Sequence, residues 1–337
     1  MHAVDREVIS QILAWLRSGS RCWLATVAAT WGSSPRPVGS LLGCNSDGVL
    51  VGSLSGGCVE DDLQEKLLNG ELAADHAQLF RYGVTTEETE KFGLPCGGHL
   101  DIIIEPQKVN NQTIDQFEQL YQALHERRWM LRTVDLNSDA VALTSASEPA
   151  PLNWSADTQL LKHTYGPSYH LFIIGAGMVS HYLADMAKML DYQVTVCDPR
   201  EDLLEQFPVD GVTKVCDMPD DAVRAFADDY ATAIVAMTHD PRIDDMGLME
   251  ALNTRAFYVG AMGSSRTSAS RRERLLTLGL SAQALSRLHA PIGLPIGSKT
   301  PPEIAIAVLA EITAKRKTEN SETSALANAD GKNPALA

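Results

Sequence analysis

The chain lacks long apolar runs, an excess of basic charge, paired cysteines and internal repeats. Over 337 residues no strongly apolar stretch reaches the length of about 18 that a spanning helix needs, so no membrane crossing is expected. Lys and Arg number 28 against 43 Asp and Glu, a net charge of −15. That balance argues against non-specific binding to phosphate backbones or anionic lipid, and neither nucleic acid nor membrane is an expected partner. The six cysteines (22, 44, 58, 96, 197 and 216) contain no C-x-x-C pair, so a zinc ribbon is not indicated. The first residues, Met1 to Glu7, carry acids and no apolar core of a signal peptide. A cytoplasmic protein with free thiols is the expectation.

What is present is a globular composition, 45% hydrophobic and 21% charged, over a length suited to about two domains. Ile9, Ile12, Leu13 and Leu16 recur with helical spacing, with Asp5 as a candidate cap and Gly19 as a stop. Strand-like runs follow at 22–30, 40–44 and 48–53, the last two joined by a turn at 45–48. A helix is expected after Cys58, a buried strand at 100–104, a helix at 112–128 and one or two strands at 129–144. Residues 151–168 read as a linker. From 169 to 315 strands alternate with helices, the pattern of a doubly wound parallel sheet. On the helix at 178–190, Val179, Leu183, Ala187 and Leu190 are expected to face inward. Thr300 and Glu303 form a capping-box pattern before the last helix. The polar residues 316–337 read as a disordered tail. The expected domains are therefore 1–150, α/β, and 169–315, Rossmann.

The sites of chemical interest are loops. Gly175-Ala176-Gly177 follows a strand and opens a helix, and Asp198 ends the next strand 23 residues on. This is the dinucleotide fingerprint in context: backbone and helix N-terminus for a phosphate, a carboxylate for ribose hydroxyls. The same residues also serve as a ligand-free turn. Gly263 and Ser264 repeat the logic at a later strand end, with helix capping as the plainer role. His239 follows another strand end and can orient a ligand or move a proton, or lie on the surface. Cys58 follows Gly56 and Gly57 at a helix start, a position that favours thiolate, although Glu60, Asp61 and Asp62 oppose this. Cys96 is followed by Gly97 and Gly98. Two glycine-flanked thiols suit a soft metal or sulfur transfer, as one shared site or as two unrelated thiols. Arg36, between two prolines, can pair with a phosphate or be solvated. Cys22, Cys44 and Cys197 read as core, and Cys216 as structural. No convincing catalytic acid–base pair is present.

Ser-Ser-Pro-Arg at 33–36, Ser-Gly-Gly-Cys-Val-Glu at 55–60 and Pro-Cys-Gly-Gly at 95–98 resemble the N-terminal signature of the xanthine dehydrogenase accessory factor family, XdhC/CoxI. Ile-Gly-Ala-Gly at 174–177, Asp-Pro-Arg at 198–200, Thr-His-Asp at 238–240, Tyr-Val-Gly-Ala-Met-Gly-Ser at 258–264, Pro-Ile-Gly-Leu at 291–294 and Thr-Pro-Pro-Glu-Ile-Ala at 300–305 resemble its C-terminal half. The resemblance implies a chaperone, not a catalyst: it binds molybdenum cofactor, as molybdopterin or its cytosine dinucleotide form, supports sulfuration with a cysteine desulfurase, and inserts the cofactor into an apo molybdenum hydroxylase such as xanthine or aldehyde dehydrogenase. It places Cys58 and Cys96 near the molybdenum or dithiolene, and Gly175 and Gly177 on a phosphate or nucleotide. The two cysteine loops can meet across a homodimer. Met178 stands where the family often has histidine. A nicotinamide-dependent oxidoreductase and a redox sensor with a Cys58–Cys96 disulfide are the rival functions.

Overall fold

The computed structural model describes residues 3–30, 36–83 and 99–330, excluding the side chains of Ala3, Cys58 and residues 317–330. The chain divides into two compact units, Met1–Pro167 and Ser168–Ala337.

The first unit runs α1 (Ala3–Arg17), β1 (Cys22–Thr30), β2 (Leu41–Asn45), β3 (Leu50–Gly52), α2 (Cys58–Leu68), β4 (Gln78–Tyr82), β5 (Leu100–Gln107), α3 (Asn111–His125), β6 (Trp129–Asp135), β7 (Ala140–Ala146), β8 (Asn153–Ser155) and β9 (Leu160–Tyr165). Strands β3-β2-β1-β5-β4 form an antiparallel sheet. Side chains alternate across it with the strand's period of two. Cys22 and Leu24 of β1 join a core with Ile9, Ile12 and Leu16 of α1 and Phe117 and Leu120 of α3. Trp23, Ala25 and Val27 join the opposite core, with Val59, Leu63 and Leu67 of α2. Cys22 and Cys44 therefore lie in different cores, as buried free thiols. Burial pushes the Cys22 thiol up to about 12 and that of Cys44 to about 11.

A second antiparallel sheet, β7-β6-β9-β8, contains the stretch that reads as a linker in the sequence. Only 166–168 of that stretch lie beyond the last strand. Trp154 and Leu161 are directly paired across β8 and β9 and pack with Ile103 and Val134. Two short strands beside a proline-rich segment leave little periodic signal, and burial of these apolar partners decides their conformation. Arg132 and Glu105 join the sheets through a buried bidentate pair at 2.9 and 2.7 Å. Asp5 is not a cap: it lies inside α1, where Oδ1 accepts from the Leu41 amide at 3.1 Å.

The second unit runs β10 (His170–Ile174), α4 (Met178–Met189), β11 (Gln193–Cys197), α5 (Glu201–Glu205), β12 (Thr213–Val215), α6 (Pro219–Phe226), β13 (Thr232–Ala236), α7 (Pro241–Ala251), β14 (Tyr258–Ala261), α8 (Ser265–Thr277), α9 (Ala282–Ser286), β15 (Leu288–His289) and α10 (Pro301–Asp330). Its six strands are all parallel in the order β12-β11-β10-β13-β14-β15. This is the Rossmann order, with the chain reversing direction across the sheet between β10 and β13. Strands buried on both faces explain the continuous apolar runs. Leu183, Ala187, Val308 and Ile312 of α4 and α10 cover one face. Ala222, Val223, Leu248 and Leu275 of α6, α7 and α8 cover the other.

Three expectations change here. Leu190 follows α4 and is 44% exposed, because the helix ends at Met189. Cys216 is exposed rather than structural, just past the short edge strand β12. Residues 316–330, read as disordered, continue α10. They contain no glycine or proline, so no helix breaker stands where apolar content falls; 331–337 lie outside the described residues.

Candidate functional site

In the second unit, the candidate residues Gly175, Gly177, Asp198, His239, Gly263 and Ser264 all follow carboxyl ends of parallel strands, on the edge where such sheets bind ligands. Gly175 has φ +108°, and a Cβ there would sit 2.7 Å from Thr238 Cγ2 and 3.0 Å from its Cα. The close approach of the β13–α7 loop requires glycine whether or not a ligand binds. Gly177 differs: it has extended backbone at the N-cap of α4, with no side-chain cap, and among the described residues nothing lies within 4 Å of where its Cβ would be. The helix's first-turn donors can therefore be approached closely. Met178 beside it is 68% exposed. Ser180, in the third position of the glycine pattern, is fully buried.

Asp198 is not disposed as a ribose acceptor. Its side chain is 0% exposed. Oδ2 accepts from the Ala176 amide and Arg200 Nη2, and Oδ1 from the Arg200 amide and Nε, at 2.8 to 3.0 Å. Burial opposes ionisation, but the Arg200 guanidinium and these amides hold the carboxyl below its ordinary range. The acid fastens the glycine turn to β11 and leaves the half-exposed Arg200 as the polar group facing outward.

His239 is exposed at φ +66° in a loop held by its neighbours. Asp240 caps α7 through the Arg242 amide at 2.9 Å, and Asp244 accepts from the Thr238 amide and hydroxyl at 3.1 and 2.7 Å. Below the loop, the 2%-exposed Arg271 donates to Asp244 at 2.8 Å, Asp245 at 3.0 Å and the Met262 carbonyl at 2.9 Å. One buried cation thus binds the Thr238 loop to the Met262-Gly263-Ser264 loop. Ser264 caps α8 by accepting from the Thr267 amide at 3.1 Å, the plainer of its two roles. A Cβ on Gly263 would lie 3.3 Å from Thr267 Cβ.

The first unit holds the other loop. Gly57 is the N-cap of α2 and Cys58 its first residue. Glu60, 8% exposed, turns back beneath the loop. Its Oε1 accepts from Ser53 Oγ and the Leu54, Ser55 and Gly56 amides, and its Oε2 from Ser55 Oγ and the Gly57 amide, all at 2.7 to 2.9 Å. Burial opposes this charge, but the donors from Ser55, Gly56 and Ser53 outweigh it and hold the carboxyl down to about 2. The amides of Gly56 and Gly57, candidates for a ligand, are therefore already bound. Of the other opposing acids, Asp62 engages Lys66 and the Tyr82 hydroxyl at 2.6 and 3.0 Å. Arg36 points inward, donating to the Ser53 carbonyl at 3.3 Å and Asp5 at 3.4 Å. These contacts brace the same loop. Cys96, Gly97 and Gly98, and with them the shared cysteine site, lie outside the described residues. Among the described residues no group of three or more His, Cys, Asp or Glu converges as a metal site.

Sequence reasoning missed three groups: Glu60 as the hub of the loop, Arg200 as the partner of Asp198, and Arg271 beneath the crevice. Glu60 left a signal, a glutamate at the third helical position after Ser-Gly-Gly, the reciprocal half of a capping box. Arg271 left none, since it lies in a polar helix that looks solvated.

Fold and loops together define a class: a two-unit chain in which a unit with a glycine–cysteine helix start is followed in sequence by a Rossmann unit. The family comparisons agree with this division. A family model described as "XdhC and CoxI family" matches residues 15–83, and one described as "XdhC Rossmann domain" matches 171–312. The chain belongs to the XdhC/CoxI family. It is 24% identical over 313 residues to the molybdenum cofactor insertion chaperone PaoD of Escherichia coli, covering 92% of this chain and 88% of that one. It is 25% identical over 337 residues to a probable xanthine dehydrogenase component from Bacillus subtilis, covering 90% and 96%. A crystal structure described as a xanthine dehydrogenase from Bacillus halodurans shares the fold, with a TM-score of 0.71 at 23% identity over 92% of this chain and 96% of that one.

Proposed function

We propose that this protein is an accessory factor that holds molybdenum cofactor as cargo and inserts it into a molybdenum hydroxylase such as xanthine or aldehyde dehydrogenase. The observation that carries the reading is the Gly56-Gly57-Cys58 helix start, held rigidly by Glu60, in a chain whose full-length relatives include a named insertion chaperone. Cys58 and Cys96 supply soft sulfur suited to molybdenum and its dithiolene. In the second unit, the approachable first turn of α4 suits a phosphate, of the cofactor or of a separate nucleotide. The protein's own work is holding and protecting the cargo, without a catalytic acid–base pair. Cytoplasmic location, sulfuration with a cysteine desulfurase, the choice between molybdopterin and its cytosine dinucleotide form, and homodimer formation belong to the same reading.

The buried, fully engaged Asp198 weighs against a nicotinamide-dependent oxidoreductase, whose ribose diol needs a free acceptor at that strand end. The deciding experiment is expression in a host that makes molybdenum cofactor, purification without air, and assay of molybdenum and released pterin. Equimolar molybdopterin is expected. A pterin-free protein that carries NAD and transfers hydride would replace this reading with the oxidoreductase.

A further inference from the structure

We propose that Glu60 is the positioning residue of the cysteine loop, a resident anion that fills the loop's donor nest so that its other face can take cargo. This role rests on the reading that Cys58 holds cofactor. Four backbone amides and two serine hydroxyls, from Ser53 through Gly57, converge on Glu60 within 2.9 Å. Successive amides aimed at one point form an anion-binding concavity, the arrangement that elsewhere receives phosphate. A carboxylate offers about four lone-pair sites, so six donors saturate it. The nest has no amide left for a ligand.

The outer face is the opposite. Gly56, at φ +90°, and Gly57 are both exposed, and among the described residues nothing lies within 4 Å of where either Cβ would be. Amides face in and bare glycines face out, directly before Cys58. A bulky ligand can reach the helix start, but the amides of residues 54–57 are not open to its phosphate. Contact with cargo at this loop falls to sulfur rather than to the amides of the nest. Arg36 extends the brace by linking the Ser53 carbonyl to Asp5 of α1.

The test uses the full chain with Glu60→Ala and Glu60→Gln. Hydrogen exchange at the amides of residues 54–57 reports the loop, and molybdopterin per chain reports the cargo. In Glu60→Ala those amides are expected to exchange at least about tenfold faster, with cofactor retention lost while exchange in the core strands stays unchanged. The substitution deletes the equivalent of acetate, so added acetate is expected to restore both readouts saturably, which a general loss of packing would not allow. Glu60→Gln keeps the volume but sets an amide group among donors; it should show the same losses without acetate rescue. Wild-type exchange at 54–57 in Glu60→Ala overturns the proposal. So does faster exchange with undiminished retention. Failure of both variants to fold even in acetate also overturns it, by making Glu60 a folding residue. If the wild-type chain carries no molybdopterin, the proposed function fails, while the exchange and acetate arms still decide whether Glu60 organises the loop.

Discussion

The molecule contains two glycine turns that open helices, and they are built in opposite senses. At Ser55–Gly57 the turn's amides close on an internal carboxylate only three to five residues further along the chain, Glu60. At Gly175–Gly177 the carboxylate, Asp198, takes only the Ala176 amide and otherwise engages Arg200, leaving Gly177 and the α4 start without a side-chain cap. Both look like phosphate loops by composition. The difference teaches that a glycine-rich helix start becomes a ligand site only where its donors are not already committed. Under the proposed function it divides the labour: sulfur from the first unit, and the uncapped start of α4 for an anion in the second.

The largest expected effect breaks the support beneath the second turn. Arg271→Leu removes the buried cation from Asp244 and leaves Asp245 with Arg274 alone, and should destabilise the second unit by about 3–5 kcal/mol; a urea melt that moves by less than about 1 kcal/mol would show that Arg274 and the Thr238 donors compensate. Next, Gly175→Ala places a Cβ against Thr238 at a φ of +108° and should cost about 2–4 kcal/mol, read from thermal unfolding.

A smaller effect comes from acid. The Glu60 carboxyl is lowered from 4.5 to about 2 by its donors, so its stabilisation is fully present above about pH 4.5 and is lost as pH falls toward 2. Wild type should lose roughly 1–2 kcal/mol more than Glu60→Gln over that window; parallel curves for the two proteins would remove the nest from the stability of the first unit. The smallest effect contrasts the two glycines of the second turn. Gly177→Ala meets no atom of the described residues within 4 Å and should change stability by less than about 0.5 kcal/mol, while Gly177→Val should weaken any ligand whose phosphate approaches the backbone. Equal affinity of both variants for that ligand would leave the α4 start without a binding role. Separately, Cys58→Ser should retain the fold and lose molybdopterin, measured as pterin per chain.

Local pattern carried much of this protein. Alternating strands and helices after residue 170 already describe the parallel sheet, because buried strands and amphipathic helices write their periods directly into the chain. β1 appears at its observed bounds, and α4 within one residue, for the same reason. The positions of the glycine turns and of Cys58 at a helix start were equally legible. What those loops do was not. Asp5 was a plausible cap until β2 brought the Leu41 amide to it across 36 residues. Asp198 had the right spacing for ribose, and only the fold of the following turn swings Arg200 onto it. Glu60 shows that distance along the chain is not the whole obstacle, since its donors are all near neighbours. The left-handed backbone at Gly56 turns successive amides toward one point, and that convergence exists only in the folded loop. Sequence alone therefore determined the elements and the residue types at each loop, because burial has a period. The tertiary structure decided which donors are free, because a hydrogen bond is satisfied by geometry.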